Sequence, residues 1–131
     1  MKTRALIALA AASALLTPLA LSARSERPRP QPSPAARPIG PPVSCIPLSQ
    51  VRESRVRDDW TIDFVSHGKR AWRNNLRSRC PGLRSANAIT YATSLSQLCS
   101  TDIVYVLETT PDPRRGAACA IGQFVPVELE R

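Results

Sequence analysis

The clearest alternation of apolar and polar residues in the chain starts at Trp60. Trp60, Ile62 and Phe64 are separated by single polar residues, which is the period of a β-strand buried on one face. A second run, residues 69–75, follows a short polar segment and contains Trp72. We therefore predict two neighbouring strands at the centre of the folded part, carrying three of the chain's four Trp and Phe residues.

A tight turn is predicted between these two strands. Gly68 takes a positive φ at little cost and so suits the turn. A three-residue loop ending at Gly68 pairs Val65 with Lys69 and puts Trp72 on the same face as Phe64. A two-residue loop sends Trp72 to the other face, because a slip of one residue exchanges the faces of a strand.

The same periodicities predict four further strands, over residues 50–56, 87–93, 103–107 and 119–127. The first is polar at most positions, which is typical of an edge strand. The third is apolar at both odd and even positions, which predicts a central strand buried on both faces. Pro126 marks the edge or the end of the last strand, and residues 128–131 are expected to fray.

Turn residues separate these strands. Pro81-Gly82 predicts a loop beside Cys80, and residues 111–116 predict an exposed loop. Residues 94–97 have the Ser-x-x-Gln form of a capping box, so this segment is either one helical turn or a plain turn. About six short strands without a long amphipathic helix predict a mainly β fold, a small antiparallel sheet rolled into a barrel or sandwich and stapled by two disulfides.

The first 23 residues have the features of a secretory signal peptide. Lys2 and Arg4 precede an apolar, Ala-rich stretch, and small residues follow at Ser22 and Ala23. The alternative is a single membrane anchor, for which the stretch is short and weakly apolar. After cleavage no membrane span is expected. Residues 24–43 are rich in Pro and Arg, which predicts a disordered, extended tether, and residues 44–131 form the β domain.

Four cysteines in an exported chain favour structural disulfides, since the compartment is oxidising and the domain small. These are Cys45, Cys80, Cys99 and Cys119. They show no C-x-x-C spacing and the chain has one histidine, so metal binding and thioredoxin-type chemistry lack their usual ligands. Three connectivities are open; our expectation is Cys80–Cys99 with Cys45–Cys119.

The formal charge of +8 is concentrated outside the domain. From Ser44 onward, twelve Lys and Arg minus nine Asp and Glu leave +3. One segment is strongly basic, has no acidic residue and suggests an anion-binding site: Lys69, Arg70, Arg73, Arg77, Arg79 and Arg84. Export argues against nucleic acid as partner, so an anionic envelope component such as lipopolysaccharide is the local candidate. The alternative is a solvated face with Glu53, Asp58, Asp63 and Asp102 as counter-charges.

No catalytic residue is predicted. His67 could form a Ser-His-Asp arrangement with Ser66 or Ser78 and Asp63, but no G-x-S-x-G elbow exists, and a turn role for His67 is favoured. The adjacent carboxylates Asp58 and Asp59 are typical of a turn before a strand. No phosphate loop, dinucleotide fingerprint or calcium loop occurs, so we predict neither a cofactor nor a metal.

Several short motifs together resemble a domain-of-unknown-function family of small exported proteobacterial proteins. The motifs include Cys-Pro-Gly-Leu and Leu-Cys-x-x-Asp, and lie at residues 45–48, 58–64, 73–76, 80–83, 98–102 and 119–126. The resemblance implies a periplasmic or secreted protein of the Gram-negative envelope and brings no activity or ligand. We therefore expect a non-catalytic envelope module whose partner is unknown. The alternatives are a binder of an envelope polyanion through residues 69–84, or a small periplasmic enzyme or enzyme inhibitor.

Overall fold

A computed structural model describes residues 32, 34–93 and 95–131 of the chain. Within them the structure has ten β-strands: β1 (Ala36–Pro38), β2 (Cys45–Pro47), β3 (Glu53–Val56), β4 (Thr61–Val65), β5 (Arg70–Asn75), β6 (Ile89–Tyr91), β7 (Gln97–Cys99), β8 (Ile103–Glu108), β9 (Arg114–Ala120) and β10 (Phe124–Leu129). A 3-10 turn (Leu48–Gln50) follows β2, and a short helix, α1 (Leu83–Ala86), lies between β5 and β6.

The strands form three antiparallel sheets. The large sheet has the order β1-β10-β5-β4-β3, a second sheet has the order β6-β8-β9, and β2 pairs with β7. The predicted mainly β fold is confirmed, and of the two shapes expected the sandwich fits, because the sheets do not close into a barrel. The strand count exceeds the expected six, because strands as short as β1, β2 and β7 leave almost no periodicity in the sequence. In addition, the predicted strand 119–127 is divided between the end of β9 and β10.

The core lies between the large sheet and the smaller ones. Ile62 and Phe64 of β4 and Phe124 of β10 are fully buried, and so is Val104 of β8. The rings of Phe64 and Phe124 meet edge to face with their centroids 5.5 Å apart, a favourable aromatic geometry. Trp72 packs against the same cluster. Phe64 and Trp72, two of the three aromatic side chains predicted to organise the fold, therefore contribute to its core.

The β4–β5 hairpin exists, but its predicted register is wrong. Val65 pairs with Ala71 rather than Lys69, so Trp72 lies opposite Phe64. The turn is wider than expected: Ser66 N donates to the Arg70 carbonyl at 2.9 Å. Because the register differs by two residues, the faces of the strand are unchanged, and Trp72 does share a face with Phe64. Gly68 has the predicted positive φ, +60°.

The segment before Ser44 contributes to the large sheet. Ala36–Pro38 forms β1 and pairs with β10. Val43 exchanges two backbone hydrogen bonds with Phe124, at 2.8 and 2.9 Å. Residues 36–38 and 43 of the predicted tether, 24–43, are therefore paired with β10 rather than disordered, and proline is tolerated in β1 because it is an edge strand. The predicted signal peptide, residues 1–23, lies outside the described residues.

Four local predictions differ from the structure. Gln97, expected in a helical turn or plain turn, begins strand β7, and Ser94 of the proposed capping box lies outside the described residues. The exposed loop ends earlier than predicted, since β9 begins at Arg114. Leu129 is buried in β10 rather than frayed, and Pro126 lies within that strand. The first predicted strand, 50–56, is shortened to β3.

The predicted positions of β3 and β8 within their sheets are confirmed, but the predicted burial of β8 is not. β3 is an edge strand of the large sheet, and β8 is central in the three-stranded sheet. However, β8 is not buried on both faces: Val104 and Val106 are buried, whereas Ile103 is 39% exposed. Tyr105 and Leu107, on the same face as Ile103, are half-buried, and Arg115 lies 5.0 Å from the centroid of the Tyr105 ring.

All four cysteines form disulfides, but the expected pairing is wrong. Cys45 bonds to Cys99 and Cys80 bonds to Cys119. Cys45 and Cys99 are directly opposite on β2 and β7, with their Cα atoms 4.0 Å apart. The pairing of β2 with β7 thus brings Cys45 and Cys99 together, which leaves Cys80 and Cys119 to form the second disulfide. Among the described residues no helix has the length and hydrophobicity to cross a membrane.

Candidate functional site

The basic segment between residues 69 and 84 is divided by the fold into three parts. Lys69 and Arg70 lie at the hairpin end of β5, Arg73 lies in its middle, and Arg77, Arg79 and Arg84 lie beyond its other end. At roughly 3.3 Å per residue along a strand, the two ends are on the order of 20 Å apart. The segment therefore does not form one continuous anion site.

Arg73 is unavailable to a ligand because it belongs to a buried ion pair. Its side chain lies against Asp63, the residue directly opposite on β4. Arg73 Nε donates to Asp63 Oδ1 at 2.8 Å, and Nη2 donates to Asp63 Oδ2 at 2.9 Å and to the Pro34 carbonyl at 2.8 Å. This is the bidentate geometry in which an arginine–carboxylate pair is strongest. Arg73 is 6% exposed and Asp63 is fully buried.

A second arginine completes this buried cluster. Arg57 Nε donates to Asp63 Oδ2 at 2.7 Å. Two guanidinium groups thus share one carboxylate, which leaves the cluster with a net charge of about +1, since arginine stays protonated at all ordinary pH values. The Nη2 atom of Arg57 is buried and has no hydrogen-bond partner among the described residues. The cluster links Arg57, the residue after β3, to Asp63 of β4 and Arg73 of β5.

Asp59 organises the far end of the basic segment. Its carboxylate accepts a 2.9 Å hydrogen bond from Arg84 N and a 2.7 Å hydrogen bond from Arg79 Nη2. The Arg84 N–H is the main reason that the pKa of Asp59 lies below its ordinary value; partial burial acts in the opposite direction, and Arg79 lowers this pKa further. A shallow cleft of about 440 Å³ beside it is lined by Asp59, Arg79, Gly82, Arg84 and Ser85. Arg77 instead donates to the Ser100 carbonyl at 3.0 Å.

The hairpin end is the part of the basic segment that stays open. Lys69 and Arg70 are exposed, and in the described structure no ion pair or side-chain hydrogen bond engages either of them. A groove of about 210 Å³ begins beside Arg70; it is lined by Ile39, Gln50, Ser66, Arg70, Ala71, Trp72 and Pro126. Ile39 is 46% exposed. The groove therefore combines apolar side chains with one unpaired cation.

The residues considered for catalysis do not come together. His67 is exposed in the turn, where its carbonyl accepts a 3.0 Å hydrogen bond from Arg70 N. Asp63 is occupied by Arg57 and Arg73 as described above. Asp58 accepts a 2.7 Å hydrogen bond from Trp60 N, the Asx-type turn predicted from the sequence. Within the described residues no group of three or more His, Cys, Asp or Glu residues could hold a metal ion.

The chain was compared with protein families, curated proteins and solved structures. A family model described as "Family of unknown function (DUF6491)" matches residues 1–131. The chain belongs to DUF6491. No curated protein and no solved structure matches it.

The motifs that led us to expect such a family have structural roles in this DUF6491 chain. Asn74 is fully buried and exchanges hydrogen bonds with the backbone of Gly122, at 2.7 and 2.9 Å. Gly122 must be glycine there, because a Cβ atom would lie 2.3 Å from the Asn75 carbonyl oxygen. Asp102 accepts a 2.7 Å hydrogen bond from Cys99 N. Sequence reasoning missed the Asn74–Gly122 pair, because its two members are 48 residues apart.

Proposed function

We propose that this DUF6491 protein is an exported, non-catalytic module of the Gram-negative envelope. In this proposal residues 1–23 direct export and are removed, and the folded part works in the periplasm or outside the cell, as expected for a proteobacterial protein of this kind. The basic, apolar start of the chain and its two disulfides support export, because structural disulfides persist mainly in oxidising compartments.

The proposed lack of catalysis rests on the hydrogen bonds of the polar side chains in the family-like motifs, which are made within the chain itself. Asp58, Asp59, Asp63, Asn74 and Asp102 all accept hydrogen bonds from this chain's own backbone or arginines. A catalytic carboxylate has to reach a substrate, whereas these carboxylates hold turns and strands together. In this proposal the protein acts by binding a partner at its surface rather than by catalysing a reaction.

Fractionation of a proteobacterium that expresses the tagged full chain tests the proposal. We expect the protein in the osmotic-shock fraction, shortened at its N-terminus, with no thiol that reacts under non-reducing denaturation. Leu15→Arg with Leu16→Arg should retain it in the cytoplasm, because charges disrupt the apolar region of a signal peptide. Leu15→Ile with Leu16→Ile is the matched control. A wild-type protein found reduced in the cytoplasm would refute the export proposal.

A second candidate function is recognition of an envelope polyanion at the hairpin end. It is favoured by the exposed, unpaired Lys69 and Arg70 beside the groove at Trp72. The phosphates of lipopolysaccharide, or the sulfates of heparin, would pair with these cations. This narrows the predicted site from residues 69–84 to Lys69 and Arg70. Arg73, Arg77 and Arg79 already have partners within the chain, and Arg84 lies beyond the other end of β5, beside Asp59.

Binding to immobilised heparin and to lipopolysaccharide tests this second candidate. Lys69→Ser with Arg70→Ser should abolish most binding at low salt, and added salt should weaken wild-type binding because exposed charges are screened. Arg114→Ser with Arg115→Ser removes the same charge elsewhere and should have little effect. Equal losses in both double variants would mean that only net charge matters, and would refute a local site.

A further inference from the structure

Strand β3 forms an open edge of the large sheet. It pairs with β4 on one side, and no described strand pairs with its other side. Glu53, Ser54 and Arg55 are all exposed. An exposed edge presents unpaired N–H and C=O groups to any chain that can align with it. The question is which partner this edge would accept.

The hydrogen-bond pattern shows which residues face outward. Arg57 N donates to the Thr61 carbonyl at 2.9 Å, and the register continues through Arg55 opposite Asp63. Hydrogen-bonded and non-hydrogen-bonded pairs alternate in an antiparallel ladder. Residues 53, 55 and 57 therefore bond to β4, and the backbone groups of Ser54 and Val56 point to the open edge. Arg52 N is taken by the Val65 carbonyl at 2.8 Å, so the open strip starts at Ser54.

The charges of β3 are complementary to a second copy of the same strand. Two antiparallel copies centred on Ser54 place Glu53 of each copy opposite Arg55 of the other, on the outer face where both side chains lie. Opposite charges in facing positions stabilise paired strands, whereas like charges destabilise them. Two other registers also use outward groups. The one centred on Arg55 would place Arg55 opposite its own copy, and the one centred on Val56 would place Arg55 opposite Arg57. Charge thus favours one register.

This pattern differs from an edge that is protected against pairing. Protective edges carry charges that repel a second copy or prolines that cannot bond. Here Glu53 and Arg55 have opposite signs two residues apart, and they form an ion pair with each other within one chain. In a symmetric pair each of these side chains gains a second partner. The edge is self-complementary rather than repulsive.

We propose that β3 pairs with β3 of a second copy of this chain, antiparallel and centred on Ser54. The two-fold axis lies perpendicular to the large sheet, so that two five-stranded sheets become one continuous sheet. Such an interface is isologous, as in most homodimers. A strand of four residues buries much less than the roughly 1,600 Å² of a standard interface, so the dimer is weak and reversible. This inference does not depend on the proposed function.

Charge reversal tests the proposed register. Sedimentation velocity of the purified full chain over a concentration series should show reversible dimers. Glu53→Arg places only cations on the facing positions, and Arg55→Glu places only anions there, so each should weaken association at least 10-fold. An equimolar mixture of the two variants should recover association, because every facing pair is then opposite in charge. Circular dichroism spectra should show that both variants remain folded.

A separate variant tests the backbone hydrogen bonds that Ser54 would form across the proposed dimer interface. Ser54→Pro removes the outward N–H and leaves the ladder to β4 intact, so it should abolish dimers without unfolding the sheet. Ser54→Ala is the matched control and should dimerise like the wild type. Three results would overturn the proposal: a wild type that stays monomeric at millimolar concentration, single charge variants that dimerise normally, or a mixture that does not recover association.

Discussion

The large sheet and the smaller sheets are stabilised in different ways. The three inner strands of the large sheet, β10, β5 and β4, have six, six and five residues and share long registers. By contrast, β2 and β7 have three residues each and form an isolated pair. A two-stranded pair is marginal in water without further support, and here the support is the disulfide Cys45–Cys99.

The difference extends to the use of charge. The large sheet carries the buried cluster of Asp63, Arg57 and Arg73, whereas the ion pair on the small sheet, Arg114 with Glu108, is largely exposed. A buried charge is costly to leave unpaired, and an exposed pair contributes little. We conclude that strand pairing in the large sheet depends on a few buried charged side chains that need one another, while the small sheets depend on covalent bonds. The following predictions test this contrast.

The largest effect is expected from Asp63→Asn. It removes the only carboxylate between two buried guanidinium groups, and breaking a buried ion pair costs about 3–5 kcal/mol. Urea denaturation followed by Trp fluorescence measures the loss. Asp63→Leu combined with Arg57→Met and Arg73→Met removes the whole cluster and should recover much of the stability. A single variant as stable as the wild type would show that the cluster does not hold the large sheet.

Removal of a disulfide should have the next largest effect and act mainly on the smaller sheets. Cys45→Ser with Cys99→Ser should lower the free energy of unfolding by about 2–4 kcal/mol. Hydrogen exchange should accelerate at Ile46 and Leu98, which flank the bond, more than at Phe64 in the large sheet. Equal acceleration in both places would mean that the two regions unfold as one unit and would remove the contrast.

A smaller effect is expected from Gly68→Val in the turn of the large sheet. Gly68 has a φ of +60°, and a Cβ atom there would meet nothing within 4 Å. The cost is therefore conformational, about 1–3 kcal/mol for a residue held in this region. Gly68→Asn should cost less, since Asn tolerates the left-handed conformation. If both variants have the denaturant midpoint of the wild type, the turn is not as described.

The smallest effect concerns Asp59, in the turn between β3 and β4 of the large sheet. Its pKa is lower in the folded than in the unfolded chain, where it is about 4. Its contribution to stability is therefore fully present above about pH 4 and is lost as the pH falls through the lower, folded value. Urea midpoints between pH 2 and pH 6 should change less with pH in Asp59→Asn than in the wild type. Asp112→Asn, in an exposed loop, should match the wild type.

Local patterns predicted much of this fold. The alternation at Trp60, the glycine at position 68 and the uninterrupted apolar run at β8 identified three strands and one turn. The register of the hairpin was missed, although a signal for it was present. In the observed register Asp63 faces Arg73, whereas the predicted one placed Asp63 opposite Ala71. A buried carboxylate needs a cation, and that requirement would have selected the correct register.

The remaining errors involve partners far apart in the chain. The disulfide pairing, β1 and the Asn74–Gly122 contact each join segments separated by dozens of residues, and no local periodicity reports such pairs. The same holds for the candidate site. A run of basic residues in the sequence does not show which of them are exposed. Arg73 was therefore grouped with Lys69 and Arg70, although its side chain forms a buried ion pair with Asp63. Replacing Arg73 is therefore a stability experiment and cannot test anion binding.

The pairing of β1 with β10 has a consequence for the order in which the chain can fold. Ala36 lies opposite Leu129, so the first and the last strand of the sheet are neighbours. A chain emerges from the ribosome, or from any channel it is threaded through, N-terminus first, and β1 then has no partner until the final strand follows. Contacts between residues so distant in sequence slow folding. The edge of the large sheet at β1 therefore cannot form until β10 has emerged.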